Sequence, residues 1–274
     1  MKASFDATGE VLIVTGGARG IGAAAARAYA ASGGHAYVLD VAPSEEFGGA
    51  ERTGTDGDGE PGPGGGAAEG TGAGGREGIA PAVTQLAVDV ADREAVRAAV
   101  AEIAERHGRI DGLIAGAAVQ PRTPLVDMDP DEWRRTLAVN LDGVVWAVQA
   151  VLPTMRAARR GSIVVFSSGL AHMGRAEASA YAASKGALLP FVRSIAAEVA
   201  ADRVRINVLW PGVIDTEQFR AANPGTEREH WLATTGIGTA EDVVGAMQFL
   251  LSDAASMTGS TLTRDRVFAR EDGE

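Results

Sequence analysis

Cysteine is absent from the 274 residues, which excludes disulfides and thiolate metal sites. Long apolar runs are missing too. Residues 11–14 form a short one, far below the roughly 20 residues of a membrane span. Residues 1–10 are too polar for a secretory leader. The expectation is a cytoplasmic protein with no membrane partner. Positive charge is in deficit: the net charge is −11, which argues against nucleic acid or an anionic surface as partner. Lysine is scarce, so arginine carries most of the basic charge. Much of the acidity is local, because residues 43–78 alone carry −6.

What is present is an alternation. Residues 11–15 read as a buried strand, a glycine turn follows, and an alanine-rich helix runs over about 21–32. A second strand follows at 35–41. Residues 43–78 interrupt the pattern, with 14 of the chain's 36 glycines and almost no apolar side chains. Such a segment cannot bury enough surface to offset its ordering entropy, so it reads as a flexible insertion. Strands are then expected at 83–90, 110–115, 162–167, 205–209 and 260–263. Helices are expected at 92–107, 129–157, 180–200, 227–233 and 240–251. Asp92 and Asp129 have the right placement to cap theirs. This order predicts an α/β fold, a doubly wound parallel sheet (Rossmann fold) in a single domain over 1–274.

The run Thr15-Gly16-Gly17-Ala18-Arg19-Gly20-Ile21-Gly22 joins the first strand to the first helix. Glycines there permit a tight turn and close backbone approach to a pyrophosphate. The helix N-terminus then offers N–H groups and a positive dipole end. Asp40 ends the second strand, where a carboxylate can accept from ribose hydroxyls and repel a 2′-phosphate. That favours NAD(H). Arg19 pulls toward NADP(H), since a guanidinium can pair with that phosphate.

Tyr181 and Lys185 stand four residues apart on a helix and share a face. A free phenol titrates near 10, and a neighbouring cation lowers that value. Tyr181 can then act as acid toward a carbonyl oxygen or base toward an alcohol. Ser168 follows the fifth strand, on the side where strand ends face a cofactor crevice. Each feature alone is ordinary surface or turn chemistry. Together, TGGARGIG, Asp40, Asp89-Val90, Asn140, Ser168, Tyr181/Lys185 and Pro211-Gly212-Val213-Ile214-Asp215-Thr216 resemble the classical short-chain dehydrogenases/reductases over about residues 8–262.

The resemblance implies roles. Gly16, Gly20, Ile21 and Gly22 would cradle the pyrophosphate. Asp89 would bond the adenine amino group, with Val90 on the ring and Ala115 and Gly116 close to the cofactor. Asn140 would hold a water relay to Lys185, Ser168 would orient the substrate oxygen, and Tyr181 would move the proton. Lys185 would bind the nicotinamide ribose. Pro211, Gly212, Ile214 and Thr216 would meet the nicotinamide. No metal is implied. The family's two long helices imply a homodimer or homotetramer. Two departures stand out: Ala115-Gly116-Ala117-Ala118 replaces an Asn-Asn-Ala-Gly-like run, implying lost rigidity, and Thr263-Arg264-Asp265-Arg266 replaces an Asp-Gly-Gly-like turn, leaving C-terminal packing in doubt.

The family's substrate loop corresponds to about 217–238. Gln120, Leu170, His172, Met173, Trp210, Phe219, His230 and Trp231 are the substrate-side candidates. This mix suggests a cyclic substrate with polar groups, whether sugar, polyketide ring, steroid or heterocycle. The leading reading is an NAD(H)-dependent interconversion of secondary alcohol and ketone. An NADPH-dependent ketoreductase and a non-catalytic dinucleotide-binding scaffold are its alternatives.

Overall fold

A computed structural model describes residues 5–47 and 79–265. Seven strands form one sheet: β1 (Val11–Thr15), β2 (His35–Asp40), β3 (Ala82–Ala87), β4 (Gly112–Ala115), β5 (Gly161–Phe166), β6 (Val204–Trp210) and β7 (Thr261–Thr263). Every pairing is parallel and the order is β3-β2-β1-β4-β5-β6-β7. The order reverses between β1 and β4, and the crevice beyond the strand C-termini opens there.

Both faces of the sheet are buried, which is why the central strands are runs of Val, Ile and Leu. Val11 and Ile13 face one core cluster, whereas Leu12 and Val14 face the other. The first cluster is closed by α2 (Arg93–His107), α4 (Gly143–Ala158) and α6 (Ser179–Val199), through Val100, Ile103, Val148, Val151, Leu188 and Val192. The second is closed by α1 (Gly20–Ala31) and α9 (Glu241–Leu251), through Ala26, Tyr29, Val243, Met247 and Leu250. Asp92 caps α2 by accepting from the N–H groups of Glu94 and Ala95.

Three local outcomes differ from the sequence expectation. The helix expected over 129–157 is not uniform. It runs as α3 (Pro130–Leu137), a π-helical turn (Ala138–Asp142) and α4. The extra residue of such a turn re-aims side chains, and here it lies at buried Asn140. Asp129 does cap α3, by accepting from Asp131 N–H. The whole stretch Pro130–Ala158 is long and apolar enough to cross a membrane, but Val144, Val148, Val151 and Met155 lie in the protein core.

Second, ordered structure continues past residue 43. The backbone of Ser44 exchanges two hydrogen bonds with the Gln85 side chain on β3, at 2.7 and 2.8 Å. A 3-10 turn (Glu45–Phe47) follows, with Phe47 packed on the second cluster. The rest of the expected glycine-rich insertion, 48–78, lies outside the described residues. Third, three short helices frame the crevice: α5 (Leu170–Met173) and α7 (Glu217–Ala222) were not expected, and α8 (Glu227–Thr234) was. The altered C-terminal turn does not prevent β7 from pairing with β6, and Arg264 N–H continues the ladder to Trp210 O at 3.1 Å.

Candidate active site

β5 delivers Ser167 and Ser168 to the crevice, and α6 lies across them. Lys185 Nζ donates to Phe166 O at 2.8 Å, and Ser167 Oγ donates to Lys185 O at 2.9 Å. Ser168 Oγ accepts from Leu170 N–H at 3.2 Å, and Ser168 and Tyr181 line the same cavity. Ser184 Oγ donates to Tyr181 O at 2.8 Å and accepts from Asn140 Nδ2 at 3.1 Å. The structure therefore brings Ser168, Tyr181 and Lys185 to one cavity wall, with Asn140 tied through Ser184 to the Tyr181 backbone.

Its electrostatics differ from the expected cation-tuned phenol. Burial pushes the Tyr181 phenol above its ordinary value, against the nearby Ser168 hydroxyl, which lowers it. Burial also pushes the Lys185 ammonium down to about 8. Both groups are almost wholly buried, so charge on either is poorly solvated. Lys185 also spends one N–H on a backbone carbonyl.

A cavity of about 410 Å³ runs along the glycine turn and is lined by Gly16, Arg19, Gly20, Ile21, Gly22, Asp40, Asp89, Val90 and Gly116, among others. Gly16 and Gly20 take positive φ of 69° and 56°, which an L side chain rarely adopts. A Cβ on Gly22 would lie 2.5 Å from Gly16 O and 2.8 Å from Gly17 Cα. Among the described residues no side chain caps α1, and its first turn holds no acid, so its positive end is available to an anion. These features fit a dinucleotide's phosphates. Gly22→Ala is expected to destabilise the fold by about 2 kcal/mol through overpacking against backbone atoms. Chemical denaturation would measure it, and an unchanged midpoint would show that the turn gives way freely.

Asp40 Oδ2 accepts from Ala18 N–H at 3.1 Å, so its carboxylate stands at the turn and on the cavity wall. Arg19 is paired with Glu217 at 2.6 Å, Arg135 with Asp89 at 2.9 Å and Arg220 with Asp215 at 2.8 Å. Each arginine lining this cavity is thus matched by a carboxylate. Asp89, expected to face adenine, also accepts from Ala91 N–H at 3.0 Å. Against burial, which would raise it, that bond and Arg135 hold its carboxyl below the usual range.

At the Ala115-Gly116-Ala117-Ala118 departure other side chains bond the backbone. Thr15 Oγ1 accepts from Gly116 and Ala117 N–H at 3.2 and 3.4 Å. Asn140 pairs with both backbone groups of Val119 at 2.8 and 2.9 Å. Two other side chains make the ties the missing asparagines would supply. Ala115 itself is fully buried in β4 and lines neither cavity, unlike Gly116 beside it.

A second cavity, of about 380 Å³, adjoins the first at Ile21, Gly116 and Thr216. Ser168, Tyr181, Lys185, Pro211, Gly212 and Ile214 line it. So do the substrate-side candidates Gln120, Leu170, Met173, Trp210, Phe219 and Trp231. Two candidates are not on its wall. His172 packs tilted against Trp210 with ring centroids 4.7 Å apart, and His230 packs edge-on to Trp231 at 5.5 Å. Each is exposed and packs on a wall residue. Sequence reading missed Arg175, Asn223, Gln218, Arg264 and Asp265, which line the cavity. A signal existed for Arg175, which sits between Ser168 and Tyr181, and for Arg264, which belongs to the altered C-terminal turn.

The chain is similar to known proteins over most of its length. The family model described as Enoyl-(Acyl carrier protein) reductase matches residues 72–266. The 3-oxoacyl-(acyl-carrier-protein) reductase FabG of Chlamydia pneumoniae is 32% identical over 264 residues, covering 94% of this chain and 96% of the relative. The cis-4-hydroxycyclohexanecarboxylate dehydrogenase of Sinomonas cyclohexanicum is 34% identical, covering 93% of this chain and 94% of the relative. Among solved structures, a gluconate 5-dehydrogenase from Burkholderia cenocepacia J2315, in complex with NADP and tartrate, superposes with a TM-score of 0.77 at 30% identity and covers 96% of each chain. The chain belongs to the classical short-chain dehydrogenase/reductase family, as an oxidoreductase of alcohol and carbonyl substrates built on a nicotinamide-dinucleotide fold.

Proposed function

We propose that the protein is an NAD(H)-dependent enzyme that interconverts a secondary alcohol and a ketone. The observation that carries this reading is that Ser168, Tyr181 and Lys185 line the cavity that adjoins the glycine-turn cavity. Gly16, Gly20, Ile21, Gly22, Asp89, Val90 and Gly116 hold the dinucleotide, with Pro211, Gly212, Ile214 and Thr216 around its nicotinamide end. Bound there, the nicotinamide supplies or accepts a hydride at the substrate carbon.

The chain's own residues handle the oxygen. Ser168 donates a hydrogen bond to it and fixes its approach. In reduction, the Tyr181 phenol gives its proton to the developing alkoxide; in oxidation, the phenolate takes the hydroxyl proton. A phenol held protonated by burial suits the first direction. Lys185 holds the ribose and, as an ammonium, stabilises the transient phenolate. Its depressed value lets it pass a proton on near neutral pH. Asn140, wedged in the π-turn, anchors the relay to that lysine.

Asp40 supports NAD(H) over NADP(H), because its carboxylate stands on the wall of the glycine-turn cavity. Arg19, the group that would recognise a 2′-phosphate, is already committed to Glu217. That pair is exposed at both ends and correspondingly weak, and the gluconate 5-dehydrogenase neighbour carries NADP, which keeps the NADPH-dependent ketoreductase as a second reading. A titration of nicotinamide fluorescence decides between them. Wild type is expected to bind NADH at least tenfold tighter than NADPH, and Asp40→Ala to lose most of that preference. Equal or reversed preference in the wild type would overturn the NAD(H) assignment. Family membership also supports a homodimer through α4 and α6, which sedimentation of the purified chain would test.

A further inference from the structure

We propose that the substrate is a compact carboxylic acid that carries the reacting alcohol or ketone, and that Arg175 is the residue selecting it. This rests on the oxidoreductase reading of the same cavity. The chain as a whole is acidic, yet the substrate cavity's wall is not. Arg175, Arg264 and Lys185 line it, and Asp265 is the one described carboxylate that does. Asp265 is exposed and accepts from Thr263 Oγ1 at 3.3 Å. The carboxylates that neutralise the two arginines, Glu227 and Asp242, are not on the wall. A ligand in the cavity meets two arginines whose paired carboxylates do not line the wall.

Arg175 is held in place from three sides. Nη2 lies 2.7 Å from Glu227 Oε2, Nη1 donates to Asn223 Oδ1, and the guanidinium lies over the Trp231 ring at 5.5 Å from its centroid. Asn223 is itself fixed, accepting from Trp231 Nε1 at 3.0 Å and donating to Phe219 O at 2.7 Å. The side chain is only 18% exposed. A guanidinium so immobilised and poorly hydrated is suited to grip a carboxylate, since little order remains to be lost on binding.

Arg264 adds a second positive group. Its Nη2 stands 3.5 Å from Asp242, and its buried Nη1 finds no hydrogen-bond partner among the described residues. Gly238 leaves the room it occupies, because a Cβ there would lie 2.5 Å from that Nη1. Leu170, Trp210, Phe219 and Trp231 supply apolar walls for a hydrocarbon body. About 380 Å³, partly shared with the nicotinamide side, suits a small hydroxy or keto acid.

The test is calorimetric titration of the full chain at pH 7 with cyclohexanecarboxylate and benzoate, each beside its neutral amide. Each acid is expected to bind at least tenfold tighter than its amide. In Arg175→Gln the acids should fall to the level of the amides while amide binding stays unchanged, which a merely structural role would not produce. Glu227→Gln should widen the acid preference, since it removes the charge paired with Arg175. It also keeps the test alive if Arg175→Gln does not fold. Equal binding of acid and amide, binding of neither, or an acid preference that survives Arg175→Gln would overturn the proposal. The dehydrogenase reading fails separately, if neither NADH nor NADPH binds whatever the acids do.

Discussion

Tyr181→Phe is expected to lower kcat by about 10³-fold, the scale of losing a positioned general acid or base. Cofactor affinity should be unchanged. The substitution removes one oxygen and leaves the ring packed with Leu170 and Ala178. Because the missing hydroxyl acts only while the proton moves, the loss should fall on kcat rather than on KM. Single-turnover reduction of a ketone, followed by nicotinamide absorbance, is the measurement. A variant keeping more than a tenth of the wild-type rate would remove Tyr181 from the chemistry and leave Ser168 or a water as the proton donor.

Lys185→Met should abolish turnover and yet stabilise the cofactor-free protein at pH 7. Burial holds the folded lysine at about 8 instead of its ordinary 10.5, so the folded state resists the proton that the unfolded chain accepts. That mismatch costs about 3 kcal/mol below pH 8, at about 1.4 kcal/mol per pH unit. Methionine fills similar space with no charge to desolvate. It also leaves Phe166 O without its Nζ donor, a loss of about 1 kcal/mol. The net expectation is a gain of about 2 kcal/mol, visible as a Tm rise of several degrees.

The pH dependence has a definite sign. The folded value is depressed, so between about pH 8 and 10.5 the unfolded state binds more protons than the folded one. Wild-type stability should therefore rise with pH across that window, relative to Lys185→Met, which lacks the titration. Thermal melts of both proteins from pH 7 to 10 would show it. Parallel curves would mean that Lys185 is not strained by its burial. If so, the lysine's conservative role would reduce to its hydrogen bonds.

Much of this site was legible because its chemistry is written in short-range spacing. The Gly16–Gly22 run has to be glycine-rich where backbone meets backbone. Tyr181 and Lys185 share a face because an α-helix repeats every 3.6 residues. The continuous apolar strands announce a sheet buried on both faces, and the alternation with helices announces parallel pairing.

Other features depend on residues far apart in the chain, and no local pattern carries them. Asn140, in the π-turn, bonds Val119, 21 positions away. The pairing of Arg19 with Glu217 spans 198 positions, and it changes how a guanidinium in the glycine turn is understood. His172 looks like a substrate contact from its distance to Ser168, but Trp210 on β6 claims its ring. Arg175 becomes a candidate only once α7 and α8 fold back to put Asn223, Glu227 and Trp231 around it. The sequence by itself determined the sheet, the glycine turn and the four-residue Tyr–Lys pairing, since these rest on periodicity and on what a backbone permits. Tertiary structure alone decided which charges are matched, how far burial moves Tyr181 and Lys185, and which side chains face the substrate. Desolvation and ion pairing depend on distance in space, and the fold sets that distance.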